Sequence, residues 1–428
     1  MSNIIRVFAF AVAIASVAAA RAYGGDSLDD KATHEALTLE QAVALGIRGT
    51  PQLEAQTAAI EAAQSESIAA GRLPDPQLVL GIDNLPVTGD DAWSVERDFM
   101  TMRRIGVMQS FPNGRKRASE RGKAAAAVSV AQSQAHQAKL EVAGATATAW
   151  VAAYAAELAH EKLLTLKPEV GLQAQAARTA LASGRGSTLD ALAAQSEISD
   201  LDDRLLQSQR DVQAARAELA RWIGADAQRA LAAEPQFEQL PAPREKLLAS
   251  LHLHASLLIF DAQRELAQSE IDLARAEKRP DWSAELAYSK RGDAFSNMVS
   301  LEFRVGLPLF SGNRQDPLIS AKRAQLRRLD SEREAELRMH SAEIASALAV
   351  WDTAHQRMQL YESERLPLAR QRSQAALSGF RAGRTDLGAL MASHIAEIEV
   401  QRSYVGLVKE LGQAWVFLRY LELGREPS

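Results

Sequence analysis

Two hydrophobic periods alternate along this chain. Four short stretches switch between apolar and polar residues with period two. From Pro76 to Leu85 the even positions carry Leu78, Leu80 and Ile82 and the odd positions Gln77, Gly81 and Asp83, with Val79 out of step. From Met102 to Phe111, Ile105, Val107 and Phe111 share one face, and Arg104, Gly106 and Ser110 the other. From Asp281 to Lys290, Trp282, Leu286 and Tyr288 stand opposite Asp281, Ser283 and Glu285. From Val299 to Leu309 the alternation is unbroken: Val299, Leu301, Phe303, Val305, Leu307 and Leu309 against Ser300, Glu302, Arg304 and Gly306. Successive strand side chains point to opposite faces. The pattern therefore predicts four strands over 76–85, 102–111, 281–290 and 299–309, each greasy on one face and charged on the other.

The other stretches have helical spacing. From Asn113 to Lys167 there is no proline, and only Gly114, Gly122 and Gly144 interrupt a helix-favouring run. That is roughly 80 Å of helix. A second such run extends from about Asp316 to Leu366. Their apolar residues are mostly Ala and occupy more than one face. A helix lying on a globular core has a single apolar stripe; small residues on two faces suit a helix packed on both sides, as in a cylinder wall. Short turns at Ser183-Gly184-Arg185-Gly186-Ser187 and Ala382-Gly383-Arg384-Thr385 reverse the chain, each followed by a leucine-rich helix start.

The two halves say the same thing. Trp150 and Trp351, Pro168 and Pro367, and Phe111 and Phe310 are each separated by roughly 200 residues, the signature of an internal repeat. The expected organisation is a signal peptide over 1–22, a first repeat over 23–235 and a second over 236–428. The signal has Arg6, an apolar run from Val7 to Val17 and an Ala20-Arg21-Ala22 cleavage site.

Each predicted strand is about ten residues, the length of a tilted membrane strand. A half-buried sheet in a soluble domain shows the same alternation. Export, and the lack of other strand-rich segments to pack against, favour a membrane barrel. Four strands cannot close one, and an open edge in lipid leaves backbone groups unpaired, so the barrel must be shared between chains. Two chains would give eight strands and a filled interior; three would give twelve and could leave a pore. Asp83, Arg104, Glu285, Glu302 and Arg304 on the polar face suit a wet lumen.

Composition narrows the remaining chemistry. The net charge of −5 offers no basic footprint for nucleic acid, and there is no cysteine for disulfides, thiolate metal sites or a lipid anchor. The eight His are scattered; His252 and His254 do not share a helical face. No His-Glu-x-x-His, phosphate loop or nucleophile elbow is present, so we expect no enzyme and no cofactor. Met102 and Met108 fall on the lumen face, and Met298 enters the matching strand. Thioethers are soft ligands, which makes these three weak metal candidates beside their ordinary role as flexible space-fillers.

The ordered set of elements resembles the TolC-like outer membrane efflux proteins. The similarity runs from about Leu37 to Leu423 and includes Leu37-Thr38-Leu39-Glu40-Gln41-Ala42-Val43, Leu73-Pro74-Asp75-Pro76 and Arg279-Pro280-Asp281. Val107-Met108-Gln109-Ser110-Phe111-Pro112-Asn113-Gly114-Arg115-Lys116-Arg117 is similar to the heavy-metal branch of CzcC/CusC type. The resemblance implies a mainly α fold with a small β part, assembled as a homotrimer. Its twelve-stranded β-barrel would sit in the lipid of the outer membrane and continue as an α-helical tunnel through the periplasm. The implied partners are a periplasmic adaptor and an inner-membrane pump of the RND type, with heavy-metal cations as cargo. It also implies a periplasmic gate at the hairpin tips, where this chain offers Arg185, Asp190, Arg384 and Asp386. The same acids could merely cap their helices. Alternatives are a multidrug or type I secretion channel, or a periplasmic coiled-coil adaptor; an adaptor would carry one hairpin rather than two.

Overall fold

The computed structural model describes residues 36–184, 186–233, 235–249 and 254–421. The elements come in the order α1 (Leu39–Gly49), α2 (Pro51–Ala69), β1 (Gln77–Asp83), β2 (Met102–Phe111), α3 (Gly114–Ala182) and α4 (Thr188–Ile223). There follow α5 (Arg244–Ala249), α6 (Ala255–Ala276), β3 (Trp282–Lys290), β4 (Met298–Val305), α7 (Gln315–Leu360), α8 (Leu366–Arg381) and α9 (Leu387–Leu421). Helices, two strands and a long helical hairpin thus occur twice in the same order.

The four strands form one antiparallel sheet in the order β1-β2-β3-β4. Its central pair joins the two halves of the chain through β2 and β3. Strand-to-helix junctions are fixed by side chains. Asn113 caps α3 by accepting from Lys116 N (2.8 Å), while its own N–H donates to Asp281 Oδ1 (2.7 Å) just before β3. Lys116 Nζ closes on Asp281 Oδ2 at 3.2 Å. Gly71 must be glycine: its φ is +65°, and a Cβ there would lie 2.2 Å from the Arg117 carbonyl. Its own carbonyl accepts from Arg117 Nε (2.9 Å) and Arg121 Nη1 (3.3 Å).

At 69 residues α3 is about 100 Å long. It does not stop at Lys167 but runs through Pro168 to Ala182. A proline removes one backbone donor and crowds the preceding turn, yet the helix stays continuous, with Leu166 and Val170 buried on either side of the exposed Pro168. The second copy meets its proline differently. A single π turn, Tyr361–Arg365, joins α7 to α8 immediately before Pro367. Such turns take up the backbone groups that a proline leaves unmatched.

The main core lies midway along the helices, and both copies build it alike. Trp150 is fully buried and its indole N–H donates to the Leu37 carbonyl at 3.0 Å. Trp351 donates to the Phe237 carbonyl at 2.9 Å. Leu219, Leu348, Val408, Leu411 and Leu418 pack around these anchors. Among the described residues, no helix is long and apolar enough to cross a membrane.

Candidate pore lining and gate

The sheet register gathers the alternating residues into two continuous faces. Leu80, Ile105 and Tyr288 lie side by side, as do Leu78, Val107, Leu286 and Leu301 one step along. Val299, Phe303 and Val305 extend the same face. These apolar side chains are exposed in the single chain. The face begins at Phe111 and Trp282, whose rings stack at 4.1 Å. It ends at the paired residues Arg103 and Lys290. Eight residues along β2 separate these limits, about 26 Å of strand.

The opposite face holds all five charged residues expected to line a lumen, and it links them. Arg104 lies 3.6 Å from Asp83 and 3.6 Å from Glu285. Arg304 lies 3.1 Å from Glu285 and 2.8 Å from Glu302. The result is a ladder of alternating sign across four strands, centred on the nearly buried Glu285 carboxylate. Arg104 and Glu285 are not direct partners in the register; the Gly106–Ala287 pair stands between them. Small residues there let the Arg104 side chain lie across the strands. A Cβ on Gly106 would sit 2.8 Å from the Ala287 Cβ. Val79, out of step in the sequence pattern, pairs with Gly106 in this same small row.

The three methionines are on the ladder face but apart. Met102 pairs with Asp83 and Met108 with Gln77 and Glu285, six residues and about 20 Å further along β2. Met298 pairs with Ser289 at the far edge. Met108 Sδ accepts from Arg304 Nη1 at 3.3 Å. The register brings no two of them together. No group of three or more His, Asp or Glu suited to a metal occurs among the described residues.

At the other end of the hairpins, the two tips are built alike with parts exchanged. Each reverses at a glycine with positive φ, Gly184 at +70° and Gly383 at +68°. Each brings the end of one helix against the residue that follows the turn. In the first tip Gly186 meets Ala180; in the second Gly379 meets Thr385. The glycine has moved to the other partner of the same contact. Asp190 forms a capping box with Ser187, its N–H donating to Ser187 Oγ at 3.0 Å. Asp386 caps α9, accepting from Ala389 N at 2.7 Å. Arg384 is exposed at the second tip. Arg185 lies outside the described residues, as does His252.

Next to the caps the hairpins diverge. Leu189 and Leu192, the second and fifth residues of α4, are 76% and 64% exposed, whereas Leu387 and Leu390, the first and fourth residues of α9, are buried against Ala174, Ala177 and Ala194. Counted from the caps Ser187 and Asp386, the two pairs of leucines are one residue out of step and so face different ways, about 100° apart around the helix. The leucine pattern hid a buried polar layer: His394 reads as one histidine in the apolar stripe Leu390–His394–Ile398, yet it touches two other helices.

These features make one architecture: a sheet with one apolar and one charged face, prolonged by two long helical hairpins. It is the fold of the TolC-type outer membrane channels. The outer membrane protein VceC from Vibrio cholerae superposes with a TM-score of 0.74 at 16% identity, over 90% of this chain and 96% of that one. The CmeC outer membrane channel from Campylobacter jejuni superposes with a TM-score of 0.77 at 10% identity, over 90% of this chain and 85% of CmeC. No protein-family model matches the chain. In sequence it is similar to the cobalt-zinc-cadmium resistance protein CzcC of Cupriavidus metallidurans, 26% identical over 264 residues. The matched stretch covers 59% of this chain and 61% of CzcC, under two thirds of that protein's length.

Proposed function

We propose that this chain is the outer membrane channel of a tripartite efflux system, a passive exit duct for heavy-metal cations. The observation that carries the reading is the open four-stranded sheet, with its unbroken apolar face, its charged face and an unpaired edge on β1 and on β4. Lipid would cover the first face, and neighbouring strands must satisfy both edges. Three copies give twelve strands around a lumen lined by Asp83, Arg104, Glu285, Glu302 and Arg304. The stacked Phe111 and Trp282 at one limit, and Arg103 with Lys290 at the other, match the two interfaces of a membrane band about 25 Å tall. The exposed Leu189 and Leu192 are then covered by the second hairpin of a neighbouring copy, as Leu387 and Leu390 are covered within one chain.

In this reading residues 1–22 are a cleaved export signal and the two repeats divide near residue 235. The hairpins extend into the periplasm, where the tips meet an adaptor and, through it, an inner-membrane pump. Arg185, Asp190, Arg384 and Asp386 ring the periplasmic mouth. The duct holds its cargo weakly, since tight binding slows exit; the separated Met102, Met108 and Met298 fit that requirement. Similarity to CzcC favours metal over drug cargo. Deleting the gene and measuring growth inhibition by cobalt, zinc, cadmium, copper and silver beside a drug panel tests this. The expected result is metal sensitivity restored by the full chain; drug sensitivity without metal sensitivity would overturn it.

A further inference from the structure

The two hairpins of one chain are fastened in layers between the tips and the π turn. The layer nearest the tips is dry: Leu387 and Leu390 of α9 pack on Ala174 and Ala177 of α3 and Ala194 of α4. One turn further along α9 the contact becomes polar. His394, 2% exposed, stands between Gln173 of α3 and Ser373 of α8, both also buried. The Gln173 amide nitrogen meets His394 Nε2, and Ser373 Oγ lies beside the ring, 3.3 Å from Nδ1 and 3.4 Å from Nε2. One ring therefore bridges the first hairpin to both helices of the second. Gln173 Oε1 has no hydrogen-bond partner.

We propose that His394, Gln173 and Ser373 form a proton-operated fastener, which holds the hairpins together while the ring is neutral and loosens them when it takes up a second proton. With an amide N–H donating to Nε2, the neutral ring carries its single proton on Nδ1. A second proton on Nε2 would set N–H against N–H. Gln173 must then turn its unpartnered Oε1 toward the ring, and a full charge is left in a dry interface, which is costly.

The surrounding charges are few. Glu169 of α3 and Glu397 of α9 favour the charged ring, but burial outweighs them and holds His394 below its ordinary value. From α8, Arg370 and Arg372 are exposed and only Ser373 meets the ring. From α4, Glu197 borders the adjoining crevice with Met391, Ile395 and Ile398. Burial first, and Asp200 second, push Glu197 up, against a smaller opposing pull from Arg204. The signs oppose. A depressed histidine leaves the fastener at full strength above its ordinary value near 6.5 and weakens it as pH falls from there toward the lowered value. A raised carboxyl instead takes up its proton in the packed state and tightens it as pH falls through the raised value, an effect complete near the ordinary 4.5. The net expectation is loosening from pH 6.5 toward 5.5, because the ring touches both hairpins while Glu197 only borders the crevice and opposes it in part.

The loosening itself does not depend on the pore reading; its effect on conductance does. Hydrogen exchange of the full chain in detergent, corrected for intrinsic rates, reports the first. Amides of α9 from 387 to 398 should exchange at least threefold faster at pH 5.5 than at pH 7.5, with those around Trp150 unchanged. His394→Gln should abolish the difference, and His254→Gln, outside the hairpins, should keep it. Should His394→Gln fail to fold, the wild-type comparison still decides. Equal protection at both pH values, or an unaltered response in His394→Gln, overturns the proposal. Planar-bilayer recordings are the second arm. Faster exchange with unchanged conductance would leave the fastener standing and count against the tips as the pore's closure.

Discussion

Asp386 holds two roles that a single substitution can separate. Its carboxylate caps α9 by accepting from Ala389 N, and its charge stands beside the exposed Arg384 at the proposed mouth. Asparagine can still cap a helix but carries no charge. If the charge matters for closure, Asp386→Asn should raise single-channel conductance of the reconstituted chain as much as Asp386→Ala does. Only the alanine variant should also lose about 1 kcal/mol of stability. Equal conductance of wild type and Asp386→Asn would assign the residue to capping alone. At this scale the sequence is readable where a residue has one job. The charged face followed from period-two alternation because Asp83, Arg104, Glu285, Glu302 and Arg304 can face only one way in their strands; the ion pairs that link them did not, since they depend on the register between strands. The role of Gly106 did not, because a close approach to Ala287 depends on the register of a strand nearly two hundred residues away.

Among the elements, the strands were the most legible: both faces are constrained, so the pattern has no slack. The observed bounds of β1, β2 and β3 fall within or on those predicted, but β4 runs from Met298 to Val305, so the alternation of Leu307 and Leu309 continues past the end of the strand and the predicted range of 299–309 is too long. Helix ends were less so. Pro168 reads as a break, yet α3 passes it, while Pro367 in the same place of the second copy follows a π turn. Local propensity is the same at both; the neighbours differ. Three of the basic side chains that follow β2 are tied inward, Lys116 to Asp281 and both Arg117 and Arg121 to the Gly71 carbonyl. Lys123 reaches Glu270 of α6 at 3.1 Å, and Lys322 of α7 reaches the same carboxylate at 2.7 Å. Burial opposes the charge on Glu270, but the two lysines outweigh it and hold the group below its ordinary value. Its stabilising effect is therefore present above about pH 4.5 and is lost as pH falls through the lowered value. Glu270→Gln should cost about 1 kcal/mol at neutral pH, discounted for partial exposure, and less at pH 3. Thermal unfolding at the two pH values checks this; an equal loss at both would place the effect in packing.

For the whole molecule, the duplication accounts for the surfaces that one chain leaves open. Each copy contributes two strands and one hairpin, and the copies join through β2 and β3, leaving β1 and β4 as edges. Within the chain the second hairpin's Leu387 and Leu390 find a partner surface; the first hairpin's Leu189 and Leu192 do not. Both the sheet and the hairpins thus end in surfaces that a further copy can complete. The central claim is that three copies close the barrel and the tunnel together. The most direct test is the protein mass of the detergent-extracted full-length chain, measured by light scattering with the detergent contribution subtracted. The account predicts a single species of three chains. A folded species of one or two chains would contradict it.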